Sequence, residues 1–495
     1  MLSVPVILAI DQGTTGTRAI LYDATGRVRG SAYQEFNQYY PHPGWVEHDA
    51  REILRSTLEV IKRALGRARL SSLKIAAIGI TNQRETAVLW EKKSGRPVSR
   101  AIVWQDRRTA DFCDSLKKQG HEPFFRKQTG LVLDPYFSGT KVRWMLDHLA
   151  GLGKRASRGE ILFGTIDTWL LWNLTGGRVH ATDATNASRT LFLNLKKISW
   201  DTEALKILKI PSSILPEVHS SSHPFGRTVS LGALKSGIPI TALIGDQQAA
   251  LFGQGCYRSG EVKNTYGTGC FIMVNEGKHC RAPAPGLLTT LACDEKGRPS
   301  YALEGTIFIA GAVIQWLRDG LKMIKKAAET EKIAKKLKDT AGVVMVPAFA
   351  GLGSPYWNPH VRGAVFGLTR GTRRQHLVKA ALDSIAYQTA DVFHAMTRAL
   401  GRKPRLLKVD GGGTANDYLM QFQADLLGIP VYRSDSLELT AWGAAKLAGI
   451  QCGFWKSAAE ADRFRHYKKF SPQMSKNERL QKLGFWHEAV AKLVR

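Results

Sequence analysis

An aspartate and a turn rich in glycine and threonine follow the first apolar run of the chain, residues 4–10. The turn, QGTTGT at residues 12–17, leads into Arg18. Glycines let backbone N–H groups approach an anion, threonine hydroxyls add donors, and arginine neutralises charge. Asp11 stands where a strand would end and suits Mg²⁺, which binds one or two carboxylates together with phosphates and water. The segment predicts a phosphate site; an ordinary hairpin with a terminal aspartate is the alternative.

A second glycine-rich segment, DGGGTAND at residues 410–417, lies between the apolar run 406–409 and a predicted helix over 415–427. A strand, a glycine turn and a helix N-terminus form a place that a nucleotide can approach closely. The pattern is neither G-x-G-x-x-G nor Walker A, and the chain contains no G-x-S-x-G, which argues against a dinucleotide fold, a P-loop and an α/β-hydrolase. A tight strand-to-helix turn without a ligand is the alternative.

Asp246 follows the apolar run 240–244 and precedes a predicted helix over 247–253. A carboxylate at a strand end, between the two halves of the chain, can accept the proton of a hydroxyl group as its oxygen attacks a phosphoryl group. The same position suits a helix N-cap, because an aspartate there accepts hydrogen bonds from the first backbone N–H groups. The sequence leaves both roles open.

Gln83, Arg84 and Glu85 follow a predicted buried strand over residues 75–80. The guanidinium group of Arg84 presents a fork of N–H donors, and the neighbouring side chains provide acceptor oxygens. A small polyol carries several hydroxyl groups that both donate and accept, so its recognition needs such mixed groups at fixed spacing. The segment therefore predicts a polyol contact, with an ion pair at the surface as the commoner alternative.

Predicted strands alternate with helices, which indicates an α/β fold. One helix is expected over residues 50–69, with Asp49 as its N-cap. In the second half, strands are expected over 261–266 and 270–274, and a turn at 275–277 is expected to close a hairpin.

The turns Gly13-Thr14-Thr15 and Gly267-Thr268-Gly269 lie about half the chain apart. Each is flanked by predicted strands, which suggests a duplicated domain with a cleft between the copies. A boundary near residue 252 fits this interpretation. Chance recurrence of a short, common turn is the alternative.

The composition excludes several classes of protein. The chain has 495 residues, 44% of them apolar and 23% charged, as in ordinary globular proteins. Its apolar runs are too short to span a bilayer and no basic segment precedes the first run, so we expect neither a signal peptide nor a membrane helix.

The six cysteines show no C-x-x-C spacing. We expect reduced thiols, a cytoplasmic protein and no metal site built on His and Cys.

The formal net charge of +28 has three interpretations. A basic excess occurs in nucleic-acid binders, steers anionic substrates such as ATP, or reflects the proteome of the source. The basic residues are spread along the chain. The densest group, the lysines of residues 322–338, alternates with apolar residues near helical spacing, which is typical of a solvated helix face. Nucleic acid and membrane are therefore not expected partners.

Taken together, the motifs resemble the FGGY family of carbohydrate kinases, and most closely its glycerol-phosphorylating members. Two family signatures stand at residues 136–148, YFSGTKVRWMLDH, and at residues 363–383, where GAVFGL is followed seven residues later by HLVKAALD. Residues 43–49, 80–85 and 264–271 match the glycerol-phosphorylating members specifically. The resemblance extends from Ile7 to about Trp455.

The resemblance implies a fold and a reaction. The fold is α/β, with two related actin-like, ribonuclease-H-like ATPase domains around a central cleft. Residues 1–252 would bind glycerol and phosphate, and residues 253–495 the nucleotide. The γ-phosphoryl group of ATP would pass to the 3-hydroxyl of glycerol, giving sn-glycerol 3-phosphate and ADP. The resemblance also implies glycerol and ATP as partners, Mg²⁺ as the cofactor, and a homodimer or homotetramer as the assembly.

The resemblance also assigns residues to roles. Asp246 would be the general base, and Asp11 and Asp246 the Mg²⁺ ligands. The glycerol contacts would be Arg84, Glu85, Tyr136, Asp246 and Gln247, with Trp104 and Phe271 covering the carbon backbone. The residues assigned to the nucleotide would be Thr14, Thr15, Gly16, Arg18, Thr268, Gly311, Gln315, Gly412 and Asn416.

Two departures from the family pattern change what is expected. Many glycerol-phosphorylating members have two serines where this chain has Gly16 and Thr17, so one hydroxyl contact to phosphate is missing. Members inhibited by fructose 1,6-bisphosphate carry an arginine in a loop that corresponds to residues 230–237, and this stretch has none. The sequence therefore leaves open whether this inhibition occurs.

Two rival functions remain at this stage. One is a kinase for another polyol or sugar. The other is a nucleotide-dependent chaperone or filament protein, because one fold supports many functions. Arg84, Glu85, Tyr136 and Gln247 argue against the second, since such a protein has no use for a polyol pocket.

Overall fold

The computed structural model describes residues 4–281, 283–358, 360–436 and 438–494. The strands of the first half are β1 Val6–Gln12, β2 Gly16–Tyr22, β3 Val28–Glu35, β4 Glu47–His48, β5 Ile75–Asn82, β6 Val88–Glu91, β7 Ala101–Ile102, β8 Ile161–Gly164, β9 Ala181–Asp183, β10 Leu193–Asn194, β11 Ser199–Trp200, β12 Glu217–His219, β13 Ser222–Arg227 and β14 Pro239–Gly245. The helices are α1 Ala50–Ala68, α2 Ala110–Lys118, α3 Glu122–Thr129, α4 Ser138–His148, α5 Leu152–Ser157, α6 Ile166–Leu174, α7 Ala184–Ala187, α8 Thr202–Ile207 and α9 Asp246–Gly253.

The second half contains strands β15 Val262–Tyr266, β16 Cys270–Gly277, β17 Leu288–Cys293, β18 Pro299–Ile307, β19 Val344–Val346, β20 Ala364–Phe366, β21 Leu407–Asp410, β22 Val431–Ser434 and β23 Tyr467–Phe470. Its helices are α10 Gly311–Gln315, α11 Glu329–Lys336, α12 Arg374–Leu400, α13 Asp417–Leu427, α14 Leu439–Gln451, α15 Ala458–Ala461 and α16 Lys476–Val494.

Two large sheets share the order of six strands when one is read in reverse, and the second sheet has β17 as an additional strand. The first sheet runs β13-β14-β5-β1-β2-β3 and the second β17-β18-β16-β15-β21-β22-β23. In each, three successive antiparallel strands (β1-β2-β3 and β15-β16-β18) continue into two parallel ones (β5-β14 and β21-β22). The predicted duplication and the two-lobed actin-like α/β fold are confirmed. We call the two sheets with their packed elements the first and second lobes.

The apolar composition of the central strands explains their place. Strand β1 reads VILAIDQ, and its apolar residues are fully buried. Both faces of such a strand need cover, as is usual for strands paired in parallel. Helix α1 begins after Asp49, whose side chain accepts a hydrogen bond from the Arg51 backbone N–H as an N-cap does. This predicted cap is confirmed.

Two predicted boundaries were wrong. The expected turn at 275–277 belongs to β16, because Asn275 and Gly277 pair with Ala302 and Tyr301 of β18, and these sheet partners extend the strand. The helix expected from residue 415 begins at Asp417, since Gly412–Ala415 form a 3₁₀ turn and Asn416 is the N-cap.

Other features of the chain agree with its composition. All six cysteines are free. The lysines of residues 322–338 are exposed, and α11 covers only part of that stretch. Within the described residues, the helices all lack the combination of length and hydropathy that crossing a membrane requires.

Helix α14 comes from the second half of the chain but packs on the first sheet. Leu439, Trp442 and Leu447 share a hydrophobic core with Ile7 and Ala77. The chain therefore returns from the second lobe to close the first.

Glycines permit α14 to pack this closely. A Cβ atom on Gly443 would overlap the carbonyl oxygen of Ala249 in α9, and one on Gly253 would overlap the carbonyl of Leu439. A Cβ on Gly79 of β5 would overlap the carbonyl of Ala444. The backbones of α9, α14 and β5 thus touch directly, which sets the position of α9 and of the aspartate at its start.

We predict that Gly443→Ala lowers the free energy of unfolding by about 1–3 kcal/mol, because the new methyl group pushes α9 and α14 apart. Thermal unfolding measures the change. The matched control is Gly484→Ala in α16, where a Cβ atom meets no neighbour within 4 Å, and a helical alanine should stabilise the protein by about 0.5–1 kcal/mol. Equal melting temperatures for Gly443→Ala and the wild type would contradict the close packing.

Candidate active site

The first-lobe residues predicted to do chemistry converge at one edge of the first sheet. Asp11 on β1 and Ile244 on β14 both pair with Thr81 of β5. Because these three strands are parallel, the segments that follow them emerge side by side. Arg84, two residues after β5, and Asp246, the residue after β14, are in contact through Nε and Oδ1 at 3.2 Å.

Arg84 is the centre of the site. It is 2% exposed, so the alternative of a surface ion pair is wrong. Its guanidinium donates to the Tyr136 hydroxyl at 3.3 Å and to Gln248 Oε1 at 3.1 Å. Glu85 is equally buried, lies 3.6 Å from Arg84 Nε, and has a left-handed backbone with φ of 61°. Such a backbone is uncommon for a residue other than glycine and is typical of sites where structure overrides local preference.

Glu304 and Arg189 complete a buried charge network that the sequence did not indicate. Glu304, on β18 of the second lobe, accepts from Arg84 Nη1 at 2.6 Å and from Arg189 Nη2 at 2.9 Å. Arg189 Nε donates to Glu85 at 2.6 Å. Burial alone would raise the pKa of Glu304, but the charges of Arg189 and Arg84 lower it to about 2. Two arginines and two carboxylates thus neutralise one another out of contact with water.

Asp246 and Asp11 have different surroundings from Glu304. Burial raises the pKa of Asp246 to about 6, although Arg84 opposes the shift. Burial and then the charge of Asp246 raise the pKa of Asp11 to about 7, with Arg18 acting in the opposite direction. The two carboxyl groups therefore lie close enough to repel each other. Paired carboxyls with raised pKa values are typical of functional sites.

Asp246 is not the N-cap of α9. Gly245 occupies the cap position, and Asp246 is the first helical residue, with Oδ1 accepting from the Gln247 backbone N–H at 2.7 Å. That alternative from the sequence is wrong, and the side chain remains directed at Arg84.

The glycine- and threonine-rich turn of residues 12–17 lies against the predicted apolar wall. Trp104 Nε1 donates to Thr14 Oγ1 at 2.9 Å, and the rings of Trp104 and Tyr136 meet edge to face with centroids 5.6 Å apart. Thr15 is exposed. A Cβ atom on Gly16 would lie 2.6 Å from the Tyr33 hydroxyl, which explains why this chain has no side chain there.

Arg18 has a partner of its own. Its guanidinium forms an ion pair with Glu438, directly before α14. About one third of each side chain is exposed. The arginine expected to meet phosphate is thus held at the contact between β2 and α14.

The nucleotide residues predicted in the second lobe surround the turn after β15. The Thr268 carbonyl accepts from the Ala310 backbone N–H at 2.9 Å, and the Gly267 carbonyl accepts from Gly311 at 3.0 Å. A Cβ on Gly411, where φ is 87°, would lie 2.5 Å from the Tyr266 carbonyl. Gly311 therefore contacts the turn itself, and the glycine-rich segment of residues 410–417 contacts Tyr266 at the end of β15, directly before the turn.

The remaining predicted residues lie around these segments. Gln315 ends α10 and Gly412 begins the 3₁₀ turn; both are exposed. Asn416 accepts from Leu419 N–H at 2.9 Å and donates to Thr330 at 3.2 Å. Its side chain therefore caps α13.

Lys263 on β15 is a further charged residue that the sequence did not indicate. It is fully buried and donates to Gln247 Oε1 at 2.6 Å and to the Phe271 carbonyl at 3.2 Å. Gln247 is the residue after Asp246, and Phe271 is on β16. Lys263 thus joins a predicted acceptor contact of the first lobe to one of the second.

Family models match both halves of the chain. The model of the FGGY family of carbohydrate kinases, N-terminal domain, matches residues 6–253, and that of its C-terminal domain matches residues 262–452.

Similar curated proteins match over almost the whole length. "Glycerol kinase 2" of Thermotoga maritima is 53% identical over 98% of both chains, and a glycerol kinase of Geobacillus kaustophilus is 54% identical over the same shares. Among solved structures, glycerol kinase of Plasmodium falciparum with ADP covers 99% of both chains at 35% identity and a TM-score of 0.93. Gluconate kinase of Lactobacillus acidophilus, at 22% identity and a TM-score of 0.87, shares the fold.

We predict that Glu304→Gln lowers the free energy of unfolding by about 3 kcal/mol or more, because it leaves Arg84 and Arg189 buried without their common counter-charge. Denaturant unfolding measures this. Glu203→Gln is the control, since Glu203 forms a 3.9 Å contact with Lys206 at the surface, and we expect a change of about 0.5 kcal/mol or less. Similar small changes in both variants would contradict the role given to the network.

Proposed function

Because the chain belongs to the FGGY family of carbohydrate kinases, we propose that it transfers the γ-phosphoryl group of ATP to the 3-hydroxyl of glycerol, giving sn-glycerol 3-phosphate and ADP. The observation that carries the proposal is the buried Arg84 guanidinium, held by Glu304 and lying 3.2 Å from the carboxylate of Asp246. The high identity to glycerol kinases over nearly the whole chain supports glycerol as the acceptor.

The acceptor pocket comprises the polar groups of Arg84, Glu85, Tyr136, Asp246 and Gln247, with Trp104 and Phe271 against the carbon backbone. Arginine and the glutamine amide donate to hydroxyl oxygens, and the carboxylates accept from hydroxyl hydrogens. A site with fixed donors and acceptors discriminates strongly against molecules that lack the matching hydroxyls, because buried polar groups would be left unpaired.

The nucleotide occupies the region between the turns of the two lobes. The proposed contacts are Thr14, Thr15, Gly16, Arg18, Thr268, Gly311, Gln315, Gly412 and Asn416. For Arg18 this role requires sharing its guanidinium with Glu438. We propose residues 1–252 as the domain that binds glycerol and phosphate and 253–495 as the nucleotide domain, with α14 returning to the first lobe.

Asp246 acts as the general base. Since its pKa is about 6, the carboxylate predominates at neutral pH and can take the proton of the attacking hydroxyl. Arg84 orients that hydroxyl beside it. Positioning and charge neutralisation contribute more than proton removal in phosphoryl transfer.

Mg²⁺ fits the carboxyl groups of Asp11 and Asp246. These two residues would hold the cation, because its charge would relieve the repulsion between the carboxyl groups that contributes to the raised pKa of Asp11. In the part of the chain that the structure describes, no group of three or more His, Cys, Asp or Glu residues forms a protein-only metal site. This agrees with a metal that uses few carboxylates. When bound, Mg²⁺ neutralises phosphate charge.

We further propose that the lobes close over the substrates to exclude water, that the enzyme is a homodimer or homotetramer, and that it works in the cytoplasm. Water in an open cleft would compete with glycerol for the phosphoryl group. The free cysteines agree with a reducing compartment.

A coupled ADP-release assay with Mg-ATP tests the proposed reaction. We expect release that depends on glycerol, with kcat/KM at least about tenfold higher than for dihydroxyacetone, xylulose or gluconate, because the fixed polar groups match one triol. ATP without an acceptor is the control. Preference for another acceptor would make the protein a kinase for that compound, and no acceptor-dependent release at all would favour a chaperone or filament role.

We expect Asp246→Asn to lower kcat by about 10²–10⁴-fold, because the amide cannot take the hydroxyl proton, while ATP still binds. Steady-state kinetics and ATP titration measure the two effects. Asp114→Asn, at an exposed position in α2, is the control and should keep wild-type kinetics. A near-normal kcat in Asp246→Asn would remove this residue from its role.

A further inference from the structure

Lys263 occupies an unusual position for a lysine. Its side chain is fully buried, and a buried ammonium group requires partners for its charge and its hydrogens. Three donors find three acceptors: Gln247 Oε1 at 2.6 Å, Thr265 Oγ1 at 2.9 Å and the Phe271 carbonyl at 3.2 Å. The hydrogen-bonding capacity of the ammonium group is therefore used completely.

The charges around Lys263 keep it protonated. Burial lowers its pKa to about 8, while Asp410, Glu304 and Asp246 act to raise it and Arg84 acts to lower it. At neutral pH the ammonium form predominates.

The hydrogen bond from Lys263 to Gln247 determines which end of the Gln247 amide faces the lysine. An ammonium group donates and cannot accept, so only the oxygen of the amide can face Lys263. The NH₂ end of Gln247 must then point away, which leaves a donor for an oxygen of a ligand. An amide without such a partner could turn over and present its oxygen instead.

The bond to the Phe271 carbonyl connects this amide to the second lobe. Lys263 and Phe271 lie on the paired strands β15 and β16, whereas Gln247 lies on α9, whose start is set by the first lobe. The Lys263 side chain thus connects Gln247, a proposed polar contact to the acceptor on the first lobe, with Phe271, a proposed apolar contact on the second lobe.

We propose that Lys263 is a positioning residue that sets acceptor affinity and specificity. It holds the Gln247 amide so that the NH₂ group of this amide faces a hydroxyl oxygen of the polyol, and it fixes the position of the amide relative to Phe271. The proposal rests on the acceptor role proposed above for Gln247. Lys263 itself does not touch the acceptor. Its removal should therefore weaken acceptor binding without affecting ATP.

The test compares wild type, Lys263→Met, Gln247→Ala and the double variant in the ADP-release assay. We expect Lys263→Met to raise the KM for glycerol about tenfold or more while the KM for ATP changes less than about twofold, since a charge-assisted hydrogen bond is lost on the acceptor side alone. In the Gln247→Ala background, Lys263→Met should add little, because residues that act through one another are not additive. Additive effects, or equal changes in both KM values, would overturn the proposal.

Two further variants separate positioning from general stability. Lys446→Met removes another fully buried lysine, which is bonded to Asp462 and Tyr257 away from the acceptor pocket. It should lower the melting temperature but leave the KM for glycerol within about twofold. Lys263→Arg keeps the donors and should recover part of the loss. If Lys446→Met raised the KM for glycerol as much as Lys263→Met, a purely structural role would explain both.

Failure of the proposed function would be recognised separately. If the wild type does not phosphorylate glycerol, the reaction assigned above is wrong. Crystal structures of the wild type and Lys263→Met then test the positioning role directly. The proposal requires the Gln247 amide to leave its place in the variant; an unmoved amide would overturn it whatever the acceptor is.

Discussion

The site depends on the buried ion pair between Arg84 and Glu304, which joins the two lobes. Removing two charges from water costs several kcal/mol per ion, and the cost is recovered only where geometry and further hydrogen bonds are good. Here Arg189 and Glu85 supply the remaining partners, so the network is balanced in charge. Because Arg84 comes from the first lobe and Glu304 from the second, the shape of the proposed acceptor pocket is tied to the contact between the lobes. This proposed site is therefore a property of the assembled pair of lobes.

The same network distinguishes two kinds of carboxyl group. Glu304 faces two guanidinium groups, and its pKa falls to about 2. Asp246 and Asp11 are partly buried with less compensation from arginine, and their pKa values rise to about 6 and about 7. A carboxylate that must exchange a proton or take up a cation needs an intermediate pKa, and one that holds arginines in place needs a low one. Glu304 is the most deeply buried of the three, yet its pKa is the lowest, so the neighbouring charges decide the difference.

Backbone packing around α9 gives Asp246 its position. Gly253 and Gly443 allow α9 and α14 to touch, and Gly79 allows α14 to touch β5. A side chain at Gly253 or Gly443 would push α9, the helix that begins with Asp246, away from α14, and one at Gly79 would push α14 away from β5. The return of α14 to the first lobe also brings Glu438 to Arg18, so the end of the second half of the chain helps to shape the proposed phosphate side of the cleft. Lys263 makes the corresponding connection from the second lobe to Gln247.

Local sequence determined much of the fold. Apolar runs that end in polar, glycine-rich turns predicted β1, β5 and β14 and the hairpins of both lobes, because burial and turn formation depend on neighbouring residues. Asp11, Arg84 and Asp246 stood out for the same reason, since each follows a buried strand. Family motifs, found at intervals between Ile7 and about Trp455, pointed to the acceptor and the nucleotide.

Tertiary structure alone decided how these residues are held. Glu304 lies 220 residues from Arg84 along the chain, and Arg189 lies 104 residues from Glu85; no local pattern marks such partners. Lys263 sits in a short strand where a lysine would be expected to face solvent, and only the packing of α9 against β15 and β16 turns it into a buried donor. The left-handed backbone of Glu85 and the contact of α14 with the first sheet also arise from packing. Pair interactions between distant segments depend on their position in space, which periodicity and turn chemistry do not encode.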